Sequence, residues 1–194
     1  MTMKTIKENV KNEIIIKNSK FITILIKIAT EEEVKEQLKE IKQQYPKATH
    51  YCYAYKILDN IKKQSDDKEP SKTAGMPMLN VLDKENITNV LAITIRYFGG
   101  IKLGAGGLVR AYSNSVKEAL EKAEKIDLVK GYLCKITFPY NKENEILRTI
   151  PKENIIEKTY LNNITYTILL EENSPLLPNT EIIKETYIEK SISN

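Results

Sequence analysis

Apolar, β-branched runs alternate with polar segments along the first part of the chain. Three of these runs have the composition of strands: residues 13–17, 21–28 and 49–58. Asn18 and Ser19 separate the first two runs and predict a tight hairpin between them. Thr30, with Glu33 three positions later, forms a capping box, which predicts a helix that begins there and ends before Pro46.

The middle of the chain predicts a loop, a short helix, a buried strand and a long helix, in that order. Residues 59–74 are polar and irregular, which indicates a loop of functional length. Residues 77–83 predict one or two helical turns. Residues 89–96 are apolar at nearly every position, which is typical of a central strand buried on both faces. Residues 107–125 carry an apolar stripe at helical spacing and predict a helix.

The pattern changes near residue 130, and we place a domain boundary there, between residues 1–130 and 131–194. The second part predicts a strand, a helix and three further strands at residues 131–138, 141–150, 154–160, 164–171 and 181–190. This order predicts a small, mostly antiparallel α+β unit, and α+β is the fold class that we predict for the chain.

Five of the chain's seven glycines lie between a predicted buried strand and a predicted helix: Gly99, Gly100, Gly104, Gly106 and Gly107. A strand, a glycine-rich loop and a helix in this order form a geometry that binds phosphate, because loop amides and the helix N-terminus point at the anion. The run lacks the Gly-Lys-Ser/Thr ending of a P-loop and the spacing of a dinucleotide fingerprint. A tight turn that lets the helix pack on the sheet is the alternative interpretation.

Positive charge is concentrated around this glycine run. The formal net charge is +4, and lysine supplies nearly all of the basic residues. Two of the three arginines, Arg96 and Arg110, flank the run, Lys102 lies within it, and no acidic residue occurs between the two arginines. Since the guanidinium fork binds phosphate or carboxylate at two points, we predict an anion site made of these three cations and the loop amides.

An acidic segment at residues 65–77 is the second candidate site. Asp66, Asp67 and Glu69 are candidates for acid–base catalysis or for binding a divalent cation. A structural clamp on the basic glycine run and a solvated loop tip are the alternatives. We expect the rest of the segment to face the glycine run through Ser71, Thr73 and Gly75.

His50, the single histidine, is a candidate proton carrier for the same chemistry. No serine or cysteine nucleophile motif accompanies it, so we predict no catalytic triad. Cys52 and Cys134 have neither metal-ligand spacing nor a histidine cluster, and we interpret them as free thiols. We therefore predict neither a metal site nor a bound cofactor.

Tyrosines are concentrated in the strand at 49–58. Tyr51 and Tyr53 share one face of that strand, and Tyr97 directly follows the predicted buried strand. Tyrosines on a sheet face stack on bases in single-stranded RNA sites. A half-buried core stripe is the alternative interpretation.

The composition is that of a water-soluble globular protein, with 41% hydrophobic and 29% charged residues. No apolar run approaches the ~18 residues of a membrane span, and the N-terminus lacks a secretory signal. We expect a cytoplasmic protein without a membrane partner.

Three segments together resemble the motifs of a known family. They read ATHYCYAY at 48–55, SDDKEPSKTAGMP at 65–77 and IRYFGGIKLGAGGLVRAYS at 95–113. In this order they are similar to the YigZ/IMPACT protein family, over roughly residues 15–125. The remainder resembles the small second domain of bacterial members.

This resemblance implies an N-terminal α/β sandwich of a ribosomal-protein type that also occurs in domain IV of elongation factor G. It implies a ferredoxin-like C-terminal domain, in which the short segment 173–180 predicts an abbreviated second helix. Family members are linked to translational control. Eukaryotic relatives associate with ribosomes and bind the activator of the amino-acid-starvation kinase, and nucleic-acid binding is proposed for bacterial members.

The leading hypothesis is a non-enzymatic translational regulator that binds RNA or the ribosome through the glycine run. An enzyme acting on a phosphorylated or anionic small molecule through the acidic segment and His50 is one alternative, and a protein-interaction module is another. Lys68 and Lys72 stand where the family usually has glycine. If those positions require positive φ, the lysines strain the loop. If the glycines leave room for a ligand, the lysines crowd that site or change its charge.

Overall fold

A computed structural model describes residues 2–191. The chain divides into a first unit that extends to Asp127 and a second unit, Leu128–Lys190. The first unit contains β1 (Met3–Ile6), β2 (Val10–Ile16), β3 (Ser19–Lys27), α1 (Glu31–Gln44), β4 (His50–Ile57), β5 (Ile61–Ser65), α2 (Gly75–Lys84), β6 (Val90–Tyr97) and α3 (Ala105–Lys122). Within the described residues, no helix is long and apolar enough to cross a membrane.

An antiparallel sheet in the order β2-β3-β6-β4-β5 forms the centre of the first unit. β6 is its middle strand and is buried along its length except at Tyr97, which confirms the buried strand predicted at 89–96. Its apolar sequence follows from this position, since helices cover both of its faces. The mixed α/β architecture predicted for the chain is present.

The two faces of this sheet have separate cores. On one face, α1 packs Val34 and Ile41 against Ile22, Ile93 and other strand residues. On the opposite face, α2 and α3 pack against the alternate strand positions, and their own apolar side chains form half of that core. The first unit is therefore a three-layer sandwich, because both faces of the sheet are apolar and must be covered.

The prediction of one long loop at 59–74 is wrong in its first part. Residues Ile61–Ser65 form β5, an edge strand paired with β4. Its sequence, IKKQS, has a single apolar residue, so the period-2 apolar pattern that identifies a half-buried strand is missing. Residues 66–74 remain irregular, and this segment is named the acidic loop below.

The second unit is a sheet with one helix. Its elements are β7 (Lys125–Phe138, whose first three residues belong to the first unit), α4 (Glu143–Thr149), β8 (Ile155–Tyr160), β9 (Ile164–Glu171) and β10 (Thr180–Ser191). The strands lie in the order β8-β9-β7-β10. Residues 172–179 contain turns and no helix, so the second helix expected between the last two strands is absent rather than shortened.

The acidic loop contains three non-glycine residues in the left-handed region: Asp67, Lys68 and Lys72, at φ +38°, +70° and +63°. Both lysines that replace a family glycine therefore occupy positions where glycine is the unstrained residue. The left-handed conformation costs an L-residue about 1–2 kcal/mol. The sequence analysis correctly identified the source of strain in this loop.

We expect Lys68→Gly and Lys72→Gly each to raise the free energy of unfolding by about 0.5–1 kcal/mol, because relief of strain exceeds the entropy that glycine adds to the unfolded chain. Urea unfolding followed by circular dichroism measures the change. Ser71→Gly is the matched control, since Ser71 lies in the same loop without positive φ and should lose about 0.5 kcal/mol. Lower stability in both lysine variants would contradict the presence of backbone strain at positions 68 and 72.

Candidate functional site at the glycine loop

A buried ion pair lies at the end of β6, just before the glycine run. Arg96 is 4% exposed and pairs in register with His50 of β4 and Phe21 of β3. Its Nη1 donates to Oε1 of Glu69 at 2.5 Å, and both side chains are almost fully buried. The guanidinium also lies 5.3 Å and 5.5 Å from the ring centres of Phe21 and Phe98. Arg96 is thus neutralised inside the protein and is not directed at solvent.

Glu69 collects further partners from two other elements. The Tyr112 hydroxyl of α3 donates to Glu69 Oε1 at 2.8 Å. His50 Nε2 lies 3.8 Å from the same oxygen, and His50 Nδ1 donates to the Asp67 carbonyl at 2.8 Å. Since a carbonyl only accepts, the proton of the neutral imidazole is on Nδ1. Glu69 therefore joins the acidic loop to β4, β6 and α3.

The other two carboxylates shape the acidic loop itself. Asp66 accepts the backbone N–H groups of Lys72, Ala74 and Gly75 at 2.8–3.0 Å, which caps the start of α2. Asp67 accepts the backbone N–H of Tyr51 at 2.7 Å. Within residues 2–191, no group of three or more His, Cys, Asp or Glu side chains is placed to hold a metal ion. The predicted catalytic candidates are thus brought together as a hydrogen-bonded clamp.

The remaining residues of the acidic loop have local roles. The Thr73 hydroxyl donates to the Pro70 carbonyl at 2.6 Å, and Ser71 is exposed. A Cβ at Gly75 would lie 2.8 Å from backbone atoms of Ser65, so glycine allows α2 to begin close against β5. These contacts account for Thr73 and Gly75 structurally.

The Cys52 thiol is enclosed by the same network. It is fully buried, donates to the Asp66 carbonyl at 3.0 Å and lies 3.3 Å from the Tyr112 hydroxyl. Burial raises the pKa of the Cys52 thiol well above its ordinary range, and burial likewise raises the pKa of the Tyr112 hydroxyl. Neither group ionises near neutral pH.

A close contact or a positive φ explains four of the five glycines in the run. A Cβ at Gly99 would overlap the Asn18 carbonyl, so this glycine lets the chain pass against the β2–β3 turn, where its N–H donates to Ser19 Oγ. Gly100 and Gly104 have φ of +84° and +73°. A Cβ at Gly107 would meet Leu103 at 3.0 Å. These four glycines serve the fold of the loop.

Gly106 is the exception, and it exposes the start of α3. The helix begins at Ala105, two residues earlier than predicted, so Gly106 and Gly107 lie in its first turn. The nearest atom to a Cβ built at Gly106 is Arg110 Nη1, at 3.7 Å. No packing requirement explains a glycine here, and its effect is to leave the backbone bare beside a guanidinium.

The N-terminus of α3 is electrostatically unlike that of α1. Thr30 caps α1 by accepting the Glu33 N–H at 3.2 Å, and three glutamates fill the first turn. Gly104 makes no side-chain cap on α3, whose first turn contains no acidic residue. Lys102 and Arg110 are exposed there and have no ion pair among residues 2–191. The helix dipole and the two cations therefore both contribute to a positive electrostatic potential at the N-terminus of α3.

The tyrosines predicted to stack on bases lie on the other side of the sheet. Tyr51, Tyr53 and Tyr97 pack with the core under α1, whereas Cys52 and Tyr112 belong to the core under α2 and α3. The Tyr51 hydroxyl donates to the Tyr45 carbonyl at 2.6 Å. The structure does not bring these three tyrosines to the face that carries α3.

Sequence analysis missed Tyr112 and Ser19 as members of the buried network. Tyr112 falls on the apolar stripe of α3, where its ring packs at right angles to Phe21 with centres 5.3 Å apart. Ser19 is the first residue of β3, directly after the hairpin turn at residues 17–18, and accepts from Arg96 Nη2 at 3.4 Å. Only the pairing of distant segments reveals either role, because neither residue belongs to a local motif.

We expect Glu69→Gln to lower the free energy of unfolding by about 3 kcal/mol or more, because it leaves Arg96 buried without a counter-charge. Tyr112→Phe should cost about 1–2 kcal/mol, since it removes one hydrogen bond to a carboxylate that keeps its ion pair. Urea unfolding of the two variants measures the difference. Unchanged or higher stability in Glu69→Gln is the result expected of a catalytic carboxylate and would contradict the structural role.

Both thiols should resist alkylation in the folded protein, because burial raises the pKa of Cys52 and of Cys134 and the thiolate is the nucleophile. Iodoacetamide at about pH 8 should leave the native mass unchanged and add two groups in denaturant. Rapid labelling of native Cys52 would show that the network around it opens.

Comparison with known proteins places this architecture in a family. The model of the Impact N-terminal domain matches residues 17–120. The IMPACT family member YvyE of Bacillus subtilis is 41% identical over 209 residues, covering 98% of this chain and 95% of that protein. YigZ of Escherichia coli is 40% identical over 111 residues, covering 55% and 54% of the two chains.

A solved structure supports the fold over most of the chain. It is described as the crystal structure of a hypothetical protein, has a TM-score of 0.64 and 29% sequence identity, and is matched over 88% of this chain and 86% of that one. The matched domain covers more than half of this chain, and the match to YvyE covers nearly all of it. This chain belongs to the IMPACT family.

Proposed function

We propose that this protein regulates translation by binding RNA, free or within the ribosome, at the glycine loop and the start of α3, without catalysing a reaction. The proposal includes action in the cytoplasm. It also includes the two finer fold assignments, a first unit like domain IV of elongation factor G and a ferredoxin-like second unit. The family resemblance supplies the link to translation, and the site supplies the link to RNA.

The observation that carries the proposal is the uncapped N-terminus of α3. Backbone N–H groups of a first helical turn attract phosphate, and here no side chain occupies them. Arg110 Nη1 lies beside Gly106, and Lys102 is exposed two residues before Gly104. Phosphates of an RNA backbone match bare amides and flexible cations, without any need for a closed pocket.

The acidic loop does not favour the enzymatic alternative. Asp66 and Asp67 accept four backbone N–H groups between them, and Glu69 is neutralised by Arg96 and accepts a hydrogen bond from Tyr112. A general acid or base needs a side chain that can reach a substrate. These carboxylates are directed into the protein instead.

We expect RNA binding that weakens steeply with salt, with a slope of log K against log[salt] that reports the phosphates contacted. Lys102→Ala and Arg110→Ala should each reduce that slope by about 0.7–0.9, because each removes one phosphate contact. Fluorescence anisotropy of a labelled RNA hairpin, and co-sedimentation with purified ribosomes, measure the binding. Lys39→Ala on the exposed surface of α1 is the matched control and should change neither slope nor affinity.

Gly106→Glu should change stability and RNA affinity in opposite directions. A glutamate in the first turn of α3 complements the helix dipole and can pair with Arg110 four residues later, so stability should rise by about 0.3–1 kcal/mol. RNA affinity should fall at the same time, since the carboxylate occupies the place of the phosphate. Unchanged RNA affinity in Gly106→Glu, or no retention on RNA or ribosomes at low salt by the wild type, would refute the proposal.

A further inference from the structure

A shallow groove of about 290 Å³ runs between α2 and α3. Its lining is formed by Lys72, Met76, Pro77, Asn80, Val81, Lys84, Val109 and Ser113. Met76 and Val109 are each 37% exposed, although both are apolar residues on well-packed helices. The floor of the α2–α3 groove is therefore apolar and open to solvent.

The rim of the groove is positively charged. Lys72 and Lys84 line it near the two ends of α2, and neither has an ion pair among residues 2–191. The acidic residues of this helix end are already neutralised, since Asp83 pairs with Lys56 at 2.7 Å and Glu85 with Lys125 at 3.1 Å. Among residues 2–191, no acidic residue lines the groove.

Lys72 occupies this rim at a conformational cost. Its φ of +63° is one at which glycine would be unstrained, yet Lys72 is among the residues that line the groove. Lys68 has a similar φ of +70° and does not line it. Both lysines have a strained backbone, but only Lys72 lines the groove. Variants of the two residues can therefore distinguish the effect of backbone strain from an effect on binding.

We propose that the α2–α3 groove binds an amphipathic peptide helix of a partner protein, whose apolar stripe is flanked at both ends by Asp or Glu. Apolar residues at i and i+4 of the peptide would pack on Met76, Val81 and Val109, and its carboxylates would meet Lys72 and Lys84. α2 has ten residues, so the groove is about 15 Å long, which fits two to three turns of a helix.

The apolar floor favours a peptide over RNA at this surface. A nucleic-acid strand needs cations that follow its phosphates, and the cations here stand only at the ends. An apolar floor with charges confined to the rim is instead the usual anatomy of a protein–protein interface. The site is separate from the one proposed for RNA, which involves Lys102, Gly106 and Arg110.

A display library of randomised peptides of about four helical turns, panned against the full-length protein, tests the inference. Enriched sequences should carry apolar residues at helical spacing and acidic residues at both ends. Their affinity, measured by fluorescence anisotropy, should fall about two- to fivefold in Lys72→Gly and in Lys84→Ala, the range expected for rim charges. It should fall at least about tenfold in Met76→Glu, which places a charge on the apolar floor.

Lys68→Gly is the matched control: it relieves the same strain as Lys72→Gly and should leave peptide affinity unchanged. Circular dichroism verifies that Met76→Glu is folded. Failure to enrich any peptide, enriched peptides without acidic residues, or affinities insensitive to Lys72→Gly and Met76→Glu would overturn the inference.

Gly106→Glu separates the two proposals, because it should weaken RNA binding and leave peptide binding intact. If Lys72→Gly and Met76→Glu weaken RNA binding instead, the groove is part of the RNA surface and the peptide inference is wrong.

Discussion

The buried pair of Arg96 and Glu69 determines where the other parts of the site can lie. A buried ion pair is better tolerated when further hydrogen bonds satisfy its remaining polar groups. Here Tyr112 supplies a second donor to Glu69, Ser19 accepts from Arg96 Nη2, and the rings of Phe21 and Phe98 lie near the guanidinium. Arg96 Nε is buried without a hydrogen-bond partner among residues 2–191. Five segments of the first unit meet at this pair: the start of β3, the start of β4, the end of β6, the acidic loop and α3. The glycine run leaves the sheet from this point, so its path depends on the pair.

This arrangement also divides the charges of the site into an inner and an outer group. Arg96 and Glu69 cancel each other inside the protein, and they contribute stability and position rather than a field at the surface. Lys102 and Arg110 are exposed, have no ion pair within the part of the chain that the structure describes, and lie next to the uncapped end of α3. A ligand at the glycine loop therefore meets two cations and a helix dipole. The third cation predicted from the sequence, Arg96, is paired with Glu69 inside the protein.

Local patterns predicted the fold well wherever an element has a regular apolar face. The buried run at 89–96 and the capping box at Thr30 are confirmed because each signal lies within one element. β5 was missed because an exposed edge strand of polar residues has no such signal. The partners of Glu69 could not be predicted for a different reason: Arg96 and Tyr112 are 27 and 43 residues away and meet it only through the sheet register.

The strain in the acidic loop shows why glycine is dispensable there. Three left-handed residues cost about 1–2 kcal/mol each. Against this cost stand three backbone hydrogen bonds to the Asp66 carboxylate, each worth about 1.5–3 kcal/mol for a charged acceptor, and the ion pair of Glu69. The hydrogen bonds are sufficient to hold the loop in one conformation whichever residues occupy it. The loop conformation therefore does not require glycine at positions 68 and 72. At position 72 the lysine lines a groove that no acidic residue among residues 2–191 lines.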